Sequence, residues 1–217
     1  MTVDAVVFDL DGVLLDSEQV WDRAKRELGD ERGGAWTATA SRDMLGMSST
    51  EWSLYMRDEL KVPLEPPAID EAVVGKLLAA YERDPPFLPG ARDAVERIAA
   101  RWPLGLASSS NRVVIDTVLD ALGVRDRFVT TVSSEEVARG KPAPDVYLEA
   151  ARRLAVDPAR AVAIEDSENG IRSAHAAGMR VVALPNPHFP PGDDALAFAA
   201  VTLRGLDGLT PEAVDGR

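Results

Sequence analysis

A chain of 217 residues that is 46% hydrophobic and 28% charged has the composition of a folded globular protein of one or two domains, with nothing that points to disorder. Its 24 basic against 36 acidic residues leave a net charge of -12, which argues against non-specific binding to nucleic acid or an anionic membrane, since both need basic surface. With no cysteine and two histidines, a disulfide, a thiolate nucleophile and a Cys- or His-rich zinc site fall away, so any metal is expected to be hard and oxygen-bound.

The first element is Val6-Val7-Phe8-Asp9-Leu10-Asp11-Gly12-Val13, an apolar strand-like run that delivers two carboxylates, one residue apart, to a glycine. Residues two apart on a strand share a face, so Asp9 and Asp11 are placed to meet one ligand. From Asp16-Ser17-Glu18, a capping-type start, apolar residues recur at helical spacing through Trp21, Ala24 and Leu28. After a break at Gly33-Gly34 a second helical segment covers Ala40 to Leu45. Ser48 or Ser49 caps a third, running through Trp52, Tyr55 and Met56 to Leu60. Pro63, Pro66 and Pro67 interrupt the pattern, which resumes from Ile69 to Tyr81 with Val73, Leu77 and Tyr81 on one stripe. No strand pattern occurs between residues 17 and 84, so this stretch reads as an all-helical insert.

The proline-rich stretch Asp84 to Gly90 closes the insert, and the texture changes. A helix near Ala91 to Ala100 leads to a strand, Leu104 to Ala107, followed by Ser108-Ser109-Ser110-Asn111 and a helix through Val114, Val118 and Leu122 that stops at Gly123. Phe128 to Val132 is the next strand. Gly140-Lys141-Pro142 forms a loop before a helix with Val146, Ala150 and Leu154 on its inner face. Ala161 to Ile164 is a strand ending in Glu165-Asp166, a helix runs to Gly178, and Arg180 to Leu184 is a fifth strand. The tail from Pro185 to Arg217 reads as mostly loop with one edge strand, Ala199 to Leu203. Alternating strands and helices predict an α/β fold, a doubly wound parallel sheet with right-handed crossovers.

In an open parallel sheet ligands bind at the carboxyl ends of the strands, and Asp9, Asp11, Ser108, Glu165 and Asp166 all fall there. Four carboxylates in one place repel one another unless a divalent cation sits among them, and Mg²⁺ suits a few carboxylates plus a phosphate oxygen. A carboxylate can attack phosphorus while a second one protonates the leaving oxygen and later deprotonates water, roles that Asp9 and Asp11 can divide. Each feature also has a plainer reading. Asp-x-Asp-Gly closes ordinary acidic turns, Ser108 and Ser109 can be capping serines, and Glu165-Asp166 can be acids that open a helix. Lys141 can be a solvated loop lysine, although it is one of four lysines beside twenty arginines and lies between Gly140 and Pro142. Trp21, Trp36, Trp52 and Met47 read as packing in the insert with some lining a pocket, His175 as a surface or packing residue, and His188 carries no reading of its own.

Taken together, Phe8-Asp9-Leu10-Asp11-Gly12-Val13, Ala107-Ser108-Ser109-Ser110-Asn111, Gly140-Lys141-Pro142-Ala143-Pro144 and Ile164-Glu165-Asp166-Ser167-Glu168-Asn169-Gly170 resemble, in order and spacing, the four motifs of the haloacid dehalogenase superfamily. The resemblance implies an α/β core of residues 1–16 and 87–217 with a small α-helical cap domain, residues 17–86, closing over the site. It implies Asp9 as nucleophile, Asp11 as general acid/base, and Ser108, Ser109 and Lys141 as phosphate ligands. The Mg²⁺ site would comprise Asp9, Asp166 assisted by Glu165, and Asp11 through its backbone carbonyl. Asp11 counts against a dehalogenase, because attack on carbon needs no acid for an alkoxide. Similarity to β-phosphoglucomutase leaves a sugar phosphomutase as an alternative, yet the places of that enzyme's cap histidine and arginine hold Trp21 and Ser49, and Lys76 is the cap cation left to consider. A phosphate-binding protein without turnover is the alternative of another class. The expectation is a cytoplasmic, Mg²⁺-dependent phosphatase of a small phosphorylated metabolite, a monomer or weak homodimer with no nucleic-acid or membrane partner.

Overall fold

A computed structural model of the chain describes residues 2–216. Strand β1 (Ala5–Phe8) is buried throughout, with Val6 and Phe8 packed into one hydrophobic cluster and Val7 into another, as the alternation of a strand between two helical layers requires. Four helices follow: α1 (Glu18–Arg32), α2 (Ala40–Asp43), α3 (Ser49–Asp58) and α4 (Pro66–Tyr81). Ser48 caps α3 in a reciprocal box, its own backbone N–H and hydroxyl both donating to Glu51. Pro66 and Pro67 do not interrupt a helix, contrary to the sequence reading. They begin α4, where a missing N–H is no loss and a fixed φ suits the first turn.

The rest alternates as expected: α5 (Ala91–Ala99), β2 (Leu104–Ser108), α6 (Arg112–Leu122), β3 (Phe128–Ser133), α7 (Asp145–Leu154), β4 (Ala161–Glu165), α8 (Glu168–Ala176), β5 (Arg180–Ala183), α9 (Asp193–Leu196), β6 (Ala199–Thr202) and α10 (Pro211–Asp215). The tail is thus more ordered than its prolines suggest. Thr210 accepts from the Ala213 N–H and Pro211 takes the first position of α10, a start signal that the sequence reading passed over.

All strand pairings among the described residues are parallel, in the order β3-β2-β1-β4-β5-β6. The sheet therefore extends outward from β1 through β2 to β3, then changes direction to place β4 on the other side of β1. The crevice at that reversal, above the carboxyl ends of β1 and β4, is where such a sheet binds ligands. Helices α5 and α6 share one cluster with Phe8, Leu106 and Ile164, while α7 and α8 share the other with Val7, Ala163 and Val181. Helices α1, α3 and α4 contribute Trp21, Leu28, Trp52, Met56, Ile69 and Leu77 to the first cluster, which runs without a break from the helical segment to the sheet. Both chain crossings between the two meet near Leu15 and Phe87, which form an antiparallel bridge, with the Asp16 N–H donating to Pro86 O at 2.8 Å. No helix among the described residues is long and apolar enough to cross a membrane.

Candidate active site

The register of the sheet brings the acids together. Phe8 stands opposite Ile164, and the Asp9 N–H donates to Ile164 O at 3.0 Å, so the residues that leave β1 and β4 are direct neighbours. Carboxylate oxygens of Asp9, Glu165 and Asp166 lie within 4.8 Å of one another, and all three side chains are buried. Two glycines make room for this. Gly12 has φ 76°, and a Cβ there would stand 1.8 Å from Asp166 Oδ2, while one on Gly170 would stand 1.8 Å from Glu165 Oε1. Only glycine permits both approaches.

Lys141 is the counter-charge inside this cluster, its ammonium 2.9 Å from Asp9 Oδ1 and 2.6 Å from Glu165 Oε1. Burial alone would lower its pKa, but the two carboxylates outweigh burial and raise it above its ordinary value. Burial pushes the Asp9 carboxyl up to about 8, with Lys141 opposing and Glu165 and Asp11 reinforcing the rise. Asp166 is raised well above its ordinary value by burial and by the charges of Glu165 and Asp9. One ammonium among these acids leaves an excess of negative charge in a dry place, and an oxygen-only donor set of this kind fits a hard divalent cation.

Glu165 is fully buried and has no lone pair to spare. Oε1 accepts from Lys141 Nζ and from the Tyr147 hydroxyl at 2.7 Å, and Oε2 accepts from Asp166 N, Ser167 N and Ser167 Oγ. It fixes Lys141 from one side and the loop that carries Asp166 from the other. The Asp11 carboxylate is held apart from the cluster: Oδ1 accepts from Ser17 Oγ at 2.5 Å and from the Trp21 indole at 3.1 Å, and Oδ2 accepts from Ser110 Oγ at 2.6 Å. Ser108 is fully buried and its Oγ accepts the Ser110 N–H, whereas Ser109 lines a cavity of about 260 Å³ together with Asp9, Asp11, Lys141, Asp166, Arg42 and Phe189. Lys76 pairs with Glu31 at 2.6 Å and lines a separate cavity with Arg23 and Arg83.

A model of the haloacid dehalogenase-like hydrolase family matches residues 3–178. The chain belongs to this family. Hexitol phosphatase B of Escherichia coli K12 is 36% identical over 98% of this chain and 96% of its own length. Fructose-1-phosphate phosphatase YqaB of the same organism is 31% identical over 82% of this chain and 94% of its own. Among solved structures, CbbY from Rhodobacter sphaeroides in complex with phosphate superposes with a TM-score of 0.88 at 27% identity, covering 99% of this chain and 100% of that one. The chain is accordingly a hydrolase of the haloacid dehalogenase type.

Several residues of this hydrolase site went unread in the sequence. Ser17 has the position of a helix cap but makes no cap, because its hydroxyl is turned to Asp11. Trp21 is a packing residue that also donates to Asp11, and Ser110 rather than its serine neighbours reaches the same carboxylate. Tyr147 lies on the inner face of α7, where an apolar stripe with one tyrosine gives no sign that its hydroxyl meets Glu165. Asn111 ties the helical segment to the sheet: its Oδ1 accepts from Ser49 Oγ, and its Nδ2 donates to Asp70 and Glu135.

Proposed function

We propose that this hydrolase is a Mg²⁺-dependent phosphatase of a small phosphorylated metabolite, a sugar phosphate or similar phosphomonoester, working through an aspartyl-phosphate on Asp9. The observation that supports the reading most is the buried set Asp9, Glu165 and Asp166 with only Lys141 to balance it. Asp9, Asp166 and the backbone carbonyl of Asp11 would hold the ion, and Glu165, whose oxygens are already engaged, would assist by orienting Lys141 and the Asp166 loop. Bound Mg²⁺ would offset the acids and polarise a phosphoryl oxygen.

Asp9 attacks phosphorus and the ester oxygen leaves with a proton from Asp11. Water then attacks the aspartyl-phosphate, Asp11 takes its proton, and phosphate departs while Asp9 is regenerated. Ser108, Ser109 and Lys141 bind the phosphoryl oxygens. Helices α1 to α4 act as the cap, and the Trp21 indole on Asp11 links cap closure to the position of the acid/base. A phosphomutase reading is weaker. The places of the mutase's cap histidine and arginine hold Trp21 and Ser49, neither of which can bind a second phosphate by charge, and the two donate instead to Asp11 and Asn111.

The test is phosphate release from a panel of sugar phosphates, phosphoglycolate and nucleotides, with chelator and Asp9→Asn controls. Release that stops in both controls is expected. Release indifferent to chelation, phosphoryl exchange between positions of a hexose phosphate with little release, or binding without turnover would each contradict the proposal.

A further inference from the structure

One buried charge beside the site has no hydrogen-bond or ion-pair partner among the described residues. Lys25 on α1 is 7% exposed, and its ammonium lies 5.7 Å and 5.2 Å from the ring centroids of Trp21 and Trp52. The two indoles stand 6.1 Å apart, tilted by 55°. Among the described residues no hydrogen bond and no carboxylate within ion-pair distance holds this ammonium; the acids that act on it, Glu18, Asp22 and Asp11, do so from farther off. Ring faces offset part of the desolvation of a buried cation, but its N–H groups still need oxygen acceptors. Lys25 lines a narrow cavity with Asp11, Trp21, Trp52, Ser109 and Ser110, and a second one with Glu18, Asp22 and Phe189 that adjoins the main cleft through Glu18, Leu45 and Phe189. The missing acceptor therefore belongs to whatever fills these cavities.

Resting on the phosphatase reading above, we propose that Lys25 determines substrate specificity: it donates to a hydroxyl oxygen at the end of the substrate away from the phosphoryl group, while Trp21 and Trp52 pack against the carbon chain. The charge balance selects a neutral end over a second anion. Three carboxylates act on Lys25, and Arg42 lines the main cleft rather than either cavity that Lys25 lines, so a second phosphate there would add roughly two negative charges to an already acidic wall. A hydroxyl suits the wall because it donates as well as accepts, and Asp22 Oδ1 is buried without a hydrogen-bond partner among the described residues. The substrate class is a polyol or sugar monophosphate with free hydroxyls at its far end.

The experiment compares a hexitol monophosphate, a hexitol bisphosphate and p-nitrophenyl phosphate, which lacks a distal hydroxyl, on the wild type, Lys25→Met and Lys25→Gln. The wild type is expected to prefer the monophosphate over the bisphosphate. Lys25→Met keeps the apolar stem between the indoles and is expected to lose about 10- to 100-fold in kcat/KM on the monophosphate, mostly in KM, with a markedly smaller loss on p-nitrophenyl phosphate. Lys25→Gln, which retains a neutral donor, falls between. Equal losses on both esters, or a wild-type preference for the bisphosphate, overturn the assignment of Lys25 while leaving the phosphatase reading intact. A wild type that hydrolyses none of the three removes the phosphatase reading itself.

Discussion

Two charged regions border adjoining cavities and are built in opposite ways. At the ends of β1 and β4 Glu165 and Lys141 are already engaged: Lys141 bridges Asp9 and Glu165, and Glu165 takes five donors from Lys141, Tyr147, Asp166 and Ser167. On the adjoining helical wall, Lys25 sits between two indoles with no acceptor among the described residues, and Asp22 keeps an oxygen that none of them meets. The first arrangement is organised before any substrate arrives, which is what a reacting centre needs if reorganisation is not to add to the barrier. The second is incomplete until a ligand completes it, which is what a selecting surface needs if the wrong ligand is to leave buried groups unpaired.

The strand-end region can be broken outright. Asp9→Asn is expected to lower kcat by roughly 10⁴-fold or more, as removal of a covalent nucleophile does, with the fold retained as judged by circular dichroism. Retention is expected because burial already disfavours the charged form of Asp9, which offsets the lost pairing, and Lys141 keeps its 2.6 Å contact with Glu165. Glu165→Gln strips the charge that orients Lys141 and is expected to cost roughly 3 to 5 kcal/mol by chemical denaturation, since it leaves a buried ammonium half-compensated. An effect below about 1 kcal/mol would place Glu165 among surface-type ion pairs and contradict the account of it as the organiser of the loop.

If the proposed ion binds here, protons and metal would compete for the same acids. Without metal, the Asp9 carboxyl is raised from 3.8 to about 8, so its contribution favours the folded state at low pH and is lost as pH rises across that window; Asp166 is raised in the same direction. On the proposed reading, Mg²⁺ would take the place of the departing protons. The shift in Tm on adding Mg²⁺ should therefore grow from pH 5 to pH 8, and a shift that shrinks over this range would show that these acids do not bind the ion.

The helical wall responds more gently. Trp21→Phe removes the donor to Asp11 while keeping the ring, and a loss in kcat of about 3- to 30-fold is expected with little change in KM for p-nitrophenyl phosphate. The smallest effect belongs to Ser48→Ala, which deletes the cap of α3 and should lower stability by about 1 kcal/mol in thermal or chemical unfolding.

How much of this the sequence announced also divides along the comparison. The alternation of strands and helices, the two acids after β1 and the pair at the end of β4 are local patterns, readable because a buried strand that ends in charge has few explanations, and Lys141 stood out as a rare lysine between Gly140 and Pro142. Gly12 was legible as the residue that ends the first strand and Gly170 only as part of the fourth motif, but the close approach of Asp166 to Gly12 and of Glu165 to Gly170 could not be read from spacing. The partners of Asp11 lie on α1 and after β2, where a serine before a helix and a tryptophan on an apolar stripe have commoner local roles. Lys25 was hidden for the same reason: in sequence it is one polar residue on an amphipathic helix, and only the fold shows Trp52 of α3 closing over it. Prolines hid two helix starts, Pro66 and Pro67 read as an interruption and Pro211 left unread, because a first helical turn tolerates the residue that helix interiors exclude.

The central claim is that Asp9 takes the phosphoryl group. Acid-quenching the enzyme in the presence of Mg²⁺ and a turning-over monophosphate, followed by peptide mass spectrometry, should find one phosphoryl group on the peptide carrying Asp9, absent from Asp9→Asn. A phosphoryl group on another residue, or phosphate release by Asp9→Asn at the wild-type rate, would contradict it.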